Sequence, residues 1–272
     1  MTVKFSDSSV TVAGGDLAVR SWNAEGNSLA PIILLHDSLG SIELWREFPA
    51  ALALATQRPV IAYDRLGFGR SSPRQAPPGS NFIREEAEIH FPQLVEALGI
   101  SSYLLLGHSV GGVMALTIAA THPQQCQLVI SISAQSFIEE RTLSGIRDAK
   151  KLFAQDSQFD KLAKWHGDKA RWVLEAWTET WLSPDFRSWS LDEDLVHVRC
   201  PVLAIHGDSD EYGSVEFPMH IASKVRGPSR SEILSDCGHL PHRQQPGEVL
   251  KLVSGFIQQP LRQPSFQRRQ PN

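Results

Sequence analysis

Short apolar runs recur along the chain, and stretches with helical or turn patterns separate them. Such runs are typical of strands that are buried on both faces of a mostly parallel sheet. The pattern predicts strands at residues 31–36, 59–63, 104–107, 128–132, 201–206 and 230–234. Residues 10–22 alternate around Gly14 and Gly15 instead, as expected for a hairpin at the edge of a sheet.

Helices are predicted between these strands. Leu44, Phe48, Leu52 and Ala55 follow near-helical spacing. The predicted helices cover residues 45–55, 82–98, 113–120, 217–225 and 249–257. Alternating strands and helices predict the α/β class, with a doubly wound, mostly parallel sheet covered by helices on both faces.

The recurrence of apolar, strand-like runs stops over residues 135–196, which are polar and helix-prone. We interpret this segment as a small helical lid inserted before the penultimate strand, on the sheet edge where ligands bind in such folds. It divides the core into residues 1–134 and 197–259, and the polar tail 260–272 is predicted to be disordered. Five of the seven tryptophans lie in the insertion, where they either line a pocket or fasten the lid to the body.

Composition narrows the choice of partners. The net charge of −4 gives no electrostatic reason to expect nucleic acid or an anionic membrane surface as a partner. No run approaches the ~20 apolar residues of a membrane span, and the first residues lack the layout of a signal peptide. Three widely spaced cysteines fit free thiols in a reducing compartment. We therefore expect a cytoplasmic protein that acts on a small molecule, with its oligomeric state left open.

The segment from Gly107 to Gly111 reads Gly-His-Ser-Val-Gly between a predicted strand and a predicted helix. Gly-x-Ser-x-Gly in this context is a nucleophile elbow, in which a sharp turn lifts the serine hydroxyl out of the sheet. Flanking glycines leave room for the turn, and the helix N-terminus offers backbone N–H groups to a negative charge. Ser109 is therefore the candidate nucleophile.

A serine hydroxyl needs a base that is itself oriented by an acid, and in this architecture the order is Ser, acid, His. Two later loops qualify, one at residues 206–210 and one at residues 236–242. We assign His239 as the base and Asp210 as the acid, with Asp208 as the competing acid. His206, Asp208 and Asp210 alternate as metal ligands can, but no further ligand cluster accompanies them, so no metal is expected.

Four motifs together resemble those of the α/β-hydrolase superfamily. Besides the elbow, Asp-x-x-Gly-x-Gly-x-Ser is matched at residues 64–71, Gly-x-x-Asp at 207–210 and Gly-His-x-x-His at 238–242. The resemblance covers residues 10 to 258 apart from the insertion. It implies an α/β-hydrolase fold and an acid and base at Asp210 and His239.

The resemblance also implies an oxyanion hole. One donor is the backbone N–H of Val110, the residue after the nucleophile, and the other maps to Ser38. Family members usually carry His-Gly-x in the Ser38 loop, whereas this chain has Asp37 in place of the glycine. Candidate pocket residues are His36, Asp37, Trp177 and Trp181. Between a catalytic and a structural role for His36, we expect a hydrogen-bonded structural residue at the end of its strand.

The expected function is hydrolysis of a carboxylic ester or related acyl compound through an acyl-enzyme on Ser109, without cofactor or metal. One alternative is a C–C bond hydrolase or a lyase-like synthase that uses the same three residues. A second is a non-catalytic relative that binds a ligand in the same pocket. Cys237, two residues before His239, is expected to be a free thiol without an elbow of its own.

Overall fold

A computed structural model describes residues 3–23, 28–74 and 76–258, and in this part of the chain one sheet of eight strands forms the centre of the fold. The strand order is β1-β2-β4-β3-β5-β6-β7-β8. Strands β1 and β2 form an antiparallel hairpin, β2 also runs antiparallel to β4, and the remaining pairs are parallel. The strands are β1 (Phe5–Val12), β2 (Gly15–Trp22), β3 (Ile32–Leu35), β4 (Val60–Tyr63), β5 (Tyr103–His108), β6 (Cys126–Ile132), β7 (Val202–Gly207) and β8 (Ser229–Leu234). The predicted α/β class and mostly parallel sheet are confirmed.

Helices cover both faces of this sheet. In β5 all six residues are buried, and they alternate between two cores, with Leu105 in one and Leu104 and Leu106 in the other. The helices are α1 (Phe48–Thr56), α2 (Phe82–Glu85), α3 (Phe91–Ala97), α4 (Val110–Thr121), α5 (Glu140–Leu152), α6 (Asp156–His166), α7 (Ala170–Leu182), α8 (Asp192–Leu195), α9 (Glu216–Lys224), α10 (Pro241–Gln244) and α11 (Pro246–Gln258). Helix α4 packs in the first core, and α1 and α11 pack in the second.

The helix predicted over 45–55 begins later than its apolar spacing indicates. A short 3₁₀ turn covers Ile42–Trp45, and Arg46 then adopts a positive φ of 53° that ends this turn. Helix α1 starts at Phe48 with Pro49 in its first turn. Proline is favoured there because the first N–H groups of a helix have no intrahelical acceptor. Pro49 was therefore the better marker of the helix start.

The helix predicted over 82–98 is observed, but its middle is not regular α-helix. Residues Glu86–His90 form a π-helical segment between α2 and α3. Pro92 follows directly, in the first turn of α3. Proline has no N–H to donate back along the helix, so one turn can widen there without losing a hydrogen bond.

Helices α5 to α8 lie between β6 and β7, over the region where the sequence predicts an insertion. They contact the body through hydrogen bonds that connect distant parts of the chain. The His166 ring accepts the N–H of Gly69 at 2.9 Å, and Trp172 Nε1 donates to the carbonyl of Ala76 at 3.1 Å. The tail predicted at 260–272 lies outside the described residues, and no helix within them is long and apolar enough to cross a membrane.

Candidate active site

The turn between β5 and α4 carries Ser109 at the carboxyl edge of the sheet. Ser109 has φ 55° and ψ −127°, a conformation that L-residues rarely adopt. A Cβ on Gly107 would lie 2.1 Å from the Gly111 carbonyl, and one on Gly111 would lie 2.1 Å from the Leu35 carbonyl. Both positions require glycine, so the spacing of the motif follows from the close approach of three backbone segments.

His239 is held by a buried carboxylate. Its Nδ1 donates to the two oxygens of Asp210 at 2.9 and 2.8 Å, and the Asp210 side chain is fully buried. Burial disfavours the imidazolium, but the charge of Asp210 and this hydrogen bond outweigh it and raise the pKa of His239. Burial likewise opposes ionisation of Asp210, yet the His239 contact lowers its pKa. Asp210 therefore stays ionised and fixes the proton of the neutral ring on Nδ1, which leaves Nε2 free to accept.

Tyr212 supports this pair from the same loop. Its backbone N–H donates to Asp210 Oδ1 at 2.8 Å, and its ring packs edge-on against His239 with centroids 4.8 Å apart. Sequence reasoning missed Tyr212. Its position two residues after the acid was the available signal, since an aspartate side chain often bonds the N–H two residues on.

Asp208 faces solvent and does not contact His239. Its Oδ1 accepts from the Ser209 hydroxyl at 2.9 Å and from the Cys237 N–H at 3.4 Å, which ties two loops together. Over the described residues no three His, Cys, Asp or Glu side chains are grouped to hold a metal ion. The three cysteines form no disulfide, and the thiols of Cys126 and Cys200, which are 74 positions apart in the chain, lie 3.9 Å from each other.

Ser109 and His239 line the same pocket, which we call the main pocket. No hydrogen bond between the Ser109 hydroxyl and the His239 ring occurs within the described ranges. In unliganded enzymes such contacts are often long and shorten only when substrate binds. In this described part of the chain, Ser109 and His239 therefore line one pocket but are not hydrogen-bonded to each other.

The loop after β3 borders this pocket through Asp37 and Ser38. Val110 is the first residue of α4, so its N–H has no intrahelical acceptor. Ser38 and Val110 both line a second, smaller cavity of about 30 Å³ beside the main pocket. The two residues expected to donate to an oxyanion thus border the same cavity.

His36 lies behind that loop, outside the main pocket. It is 1% exposed, and its Nε2 accepts the Arg65 N–H at 3.1 Å while its Nδ1 donates to the Asp37 carbonyl at 2.8 Å. Burial and the nearby Arg65 charge hold the pKa of His36 well below its usual value. These contacts make His36 a neutral support for the loop rather than a pocket residue.

Asp37 connects the loop to the elbow and to the base. Its Oδ1 accepts the Leu39 N–H at 2.8 Å, and its Oδ2 lies 3.3 Å from His108 Nδ1. His108 Nε2 in turn lies 2.7 Å from the His239 carbonyl. Burial of Asp37 opposes ionisation, but the His108 contact outweighs it and lowers the pKa of the carboxyl.

The main pocket has a volume of about 290 Å³, which suits a small-molecule ligand. Its walls are apolar and aromatic with a few polar groups, and they include the predicted residues Asp37, Trp177 and Trp181. The remaining lining residues are Ser38, Leu39, His108, Ser109, Gln135, Thr142, Ile146, Leu152, Phe153, Glu211, Tyr212, His239 and Leu240. Trp177 thus lines the pocket while Trp172 fastens helix α7 to the body, so the tryptophans serve both purposes.

The chain is similar in sequence to known hydrolases. A family model described as alpha/beta hydrolase fold matches residues 30–171. The 2-hydroxy-6-oxo-2,4-heptadienoate hydrolase of Pseudomonas putida is 25% identical over 249 residues, covering 84% of this chain and 88% of that protein. Serine hydrolase BPHL of Mus musculus is 28% identical over 217 residues, covering 73% and 69%.

Solved structures agree on the fold. The serine hydrolase CCSP0084 from the polyaromatic hydrocarbon-degrading bacterium Cycloclasticus zankles superposes with a TM-score of 0.76 over 93% of this chain and 98% of that one. Its sequence identity is 17%, so the likeness concerns the architecture alone.

Proposed function

The chain belongs to the α/β-hydrolase fold family, and on that basis we propose that it is a serine hydrolase that cleaves a carboxylic ester. The observation that carries the proposal is the buried Asp210 carboxylate bonded to His239 at 2.8 Å, on a pocket that the strained Ser109 also lines. Binding alone needs none of these three features. Their combination is suited to nucleophilic catalysis.

In the proposed reaction Ser109 Oγ attacks the ester carbonyl carbon while His239 Nε2 takes its proton. The negative charge that forms on the carbonyl oxygen is stabilised by the N–H groups of Val110 and Ser38. The tetrahedral intermediate expels the alcohol, which leaves with the proton from His239. Water then attacks the acyl-enzyme with His239 as base, and the acid is released from Ser109.

The charge of the pocket favours a neutral ester. Its lining includes the carboxylates of Asp37 and Glu211 and, among the described residues, no lysine or arginine. A substrate with its own carboxylate in this pocket would face like charge, which costs several kcal/mol at close range.

C–C bond hydrolysis by the same three residues is the second candidate. The similarity to the Pseudomonas putida hydrolase over 84% of this chain favours it. The two candidates differ in whether the substrate carries a carboxylate, which the main pocket disfavours.

A direct comparison of substrates tests the proposal. We would measure turnover of p-nitrophenyl esters from acetate to laurate, and of a vinylogous 1,5-diketone carboxylate, with wild type, Ser109→Ala and Ser254→Ala. Ser254 lies on α11, and its hydroxyl only donates to the Lys251 carbonyl. The proposal expects ester turnover that Ser109→Ala abolishes and Ser254→Ala retains. Turnover of the diketone alone would establish the second candidate, and stoichiometric binding without any turnover would indicate a binding protein.

A further inference from the structure

Gln135 is a buried amide without a partner at the wall of the main pocket. It follows β6 at the carboxyl edge of the sheet and is 4% exposed. Its Oε1 is enclosed and accepts no hydrogen bond, and neither end of the amide has a partner in the part of the chain described. The side chain nevertheless lines the same pocket as Ser109 and His239.

An unpaired buried amide costs stability unless a ligand satisfies it. Nearly all buried polar side chains in proteins have a hydrogen-bond partner, and a buried polar group without one costs about 1–3 kcal/mol of stability. Thr142 illustrates the usual arrangement in this same pocket, since its hydroxyl donates to the Tyr212 carbonyl at 2.7 Å. Gln135 differs from Thr142 because it reaches the pocket with its hydrogen-bonding capacity unused.

The surroundings of Gln135 restrict what it could bind. Part of the pocket lining is apolar, with contributions from Ile146, Leu152 and Phe153. The pocket carries the carboxylates of Asp37 and Glu211, and its described lining includes no lysine or arginine. A single neutral amide in such walls is suited to one uncharged polar atom on an otherwise apolar ligand.

We propose that Gln135 is a specificity-determining residue that binds an uncharged oxo or hydroxyl group of the ester substrate. This inference rests on the proposed ester hydrolysis and narrows its substrate class to oxygenated esters. An oxo or hydroxyl oxygen would accept from the amide Nε2, because Oε1 is enclosed. Plain alkyl esters leave the amide unpaired and are poorer substrates.

The experiment compares matched substrates. The p-nitrophenyl esters of octanoic acid, of oxo-octanoic acids with the ketone moved along the chain, and of the corresponding hydroxy acids share one leaving group. A second series carries the same groups on the alcohol side. Wild type is expected to prefer one oxygenated ester over the plain one by roughly tenfold or more in kcat/KM, the range that one hydrogen bond to a buried group supplies.

Three variants then locate the source of that preference. Gln135→Met, similar in size and apolar, is expected to bring the preference close to one, because kcat/KM falls more for the oxygenated ester than for the plain ester. Gln135→Asn keeps the amide but withdraws it by one methylene, so the best ketone position should move along the chain. Thr142→Val, the matched control, should change both substrates by the same factor because that hydroxyl already has a partner.

The outcomes separate this inference from the proposed function. Turnover of plain and oxygenated esters with equal kcat/KM in wild type, or a preference that survives in a folded Gln135→Met, overturns the role of Gln135 and leaves ester hydrolysis intact. Loss of all ester turnover in wild type refutes the proposed function and this inference with it. Melting temperatures of the variants exclude misfolding as the cause of a lost preference.

Discussion

Replacing Asp210 by Asn removes one charge from the site and changes its shape very little. The carboxylate accepts from His239 Nδ1 at 2.8 Å and from the Tyr212 N–H at 2.8 Å, in a fully buried position. An Asn side chain can turn its NH₂ toward His239, and Nδ1 must then accept. The remaining ring proton moves to Nε2, where it blocks the transfer from Ser109.

The expected loss of kcat follows from the proposed roles of Asp210 as the acid and His239 as the base. The same replacement of the triad acid in serine proteases lowers kcat on the order of 10⁴-fold, or about 5 kcal/mol of transition-state stabilisation. The KM should change much less, because Asp210 is completely enclosed and does not line the main pocket.

The variant also predicts a direction for the pH profile. Asp210 raises the pKa of His239 above its usual value near 6.5, and the base must be neutral to act. Wild-type activity should therefore rise with pH, and the midpoint of this rise should lie above the usual pKa of histidine. In Asp210→Asn the largest charge that raises the pKa of His239 is gone, while Glu211 and Asp37 remain and burial still lowers it, so the limb of the residual activity shifts to lower pH.

Steady-state kinetics of a p-nitrophenyl ester across this pH range, with melting temperatures, tests these expectations. Asp208→Asn is the control, because that carboxylate faces solvent two residues away and should leave kcat within about twofold. The reasoning is refuted if Asp210→Asn keeps a tenth of the wild-type kcat, if Asp208→Asn is equally damaging, or if the pH limb moves upward.

Two further predictions concern the surroundings of the site. Asp37→Asn should lower kcat about tenfold, because it weakens the contact to His108 that ties the Ser38 loop to the elbow; an unchanged kcat would contradict this link. Gly67→Ala should lower the free energy of unfolding by roughly 1–3 kcal/mol, because Gly67 has φ 93° and its new Cβ would lie 2.5 Å from the Trp172 ring. Thermal denaturation measures this loss, with Gly255→Ala as the control. The Cβ that this control adds would meet nothing within 4 Å, so Gly255→Ala should stabilise α11 slightly. Equal melting temperatures for the two variants would count against the packing argument.

The sheet and the elbow could be predicted because their signals are local. Buried strands need continuous apolar runs, and Gly107 and Gly111 are required by backbone contacts that any elbow repeats. The choice of Asp210 over Asp208 as the base's partner also rested on a local motif. The structure places Asp210, and not Asp208, against His239.

Other features depend on contacts between distant segments, and no local pattern encodes them. His36 is a candidate pocket residue in the sequence, but its ring accepts a hydrogen bond from the Arg65 backbone N–H, 29 positions away, and lies outside the main pocket. Gln135 is an ordinary residue in a loop, and its significance appears only because folding leaves its amide without a partner. The late start of α1 differs from these, since Pro49 was a local signal that the apolar spacing obscured.

Covalent trapping of the nucleophile tests the central claim most directly. Intact protein would be treated with a fluorophosphonate, and the adduct located by peptide mass spectrometry in wild type, Ser109→Ala and Asp210→Asn. The account predicts one adduct on Ser109, none in Ser109→Ala, and slow labelling in Asp210→Asn. An adduct on another residue such as Cys237, or a folded wild type that stays unlabelled, would contradict a serine-hydrolase mechanism at this site.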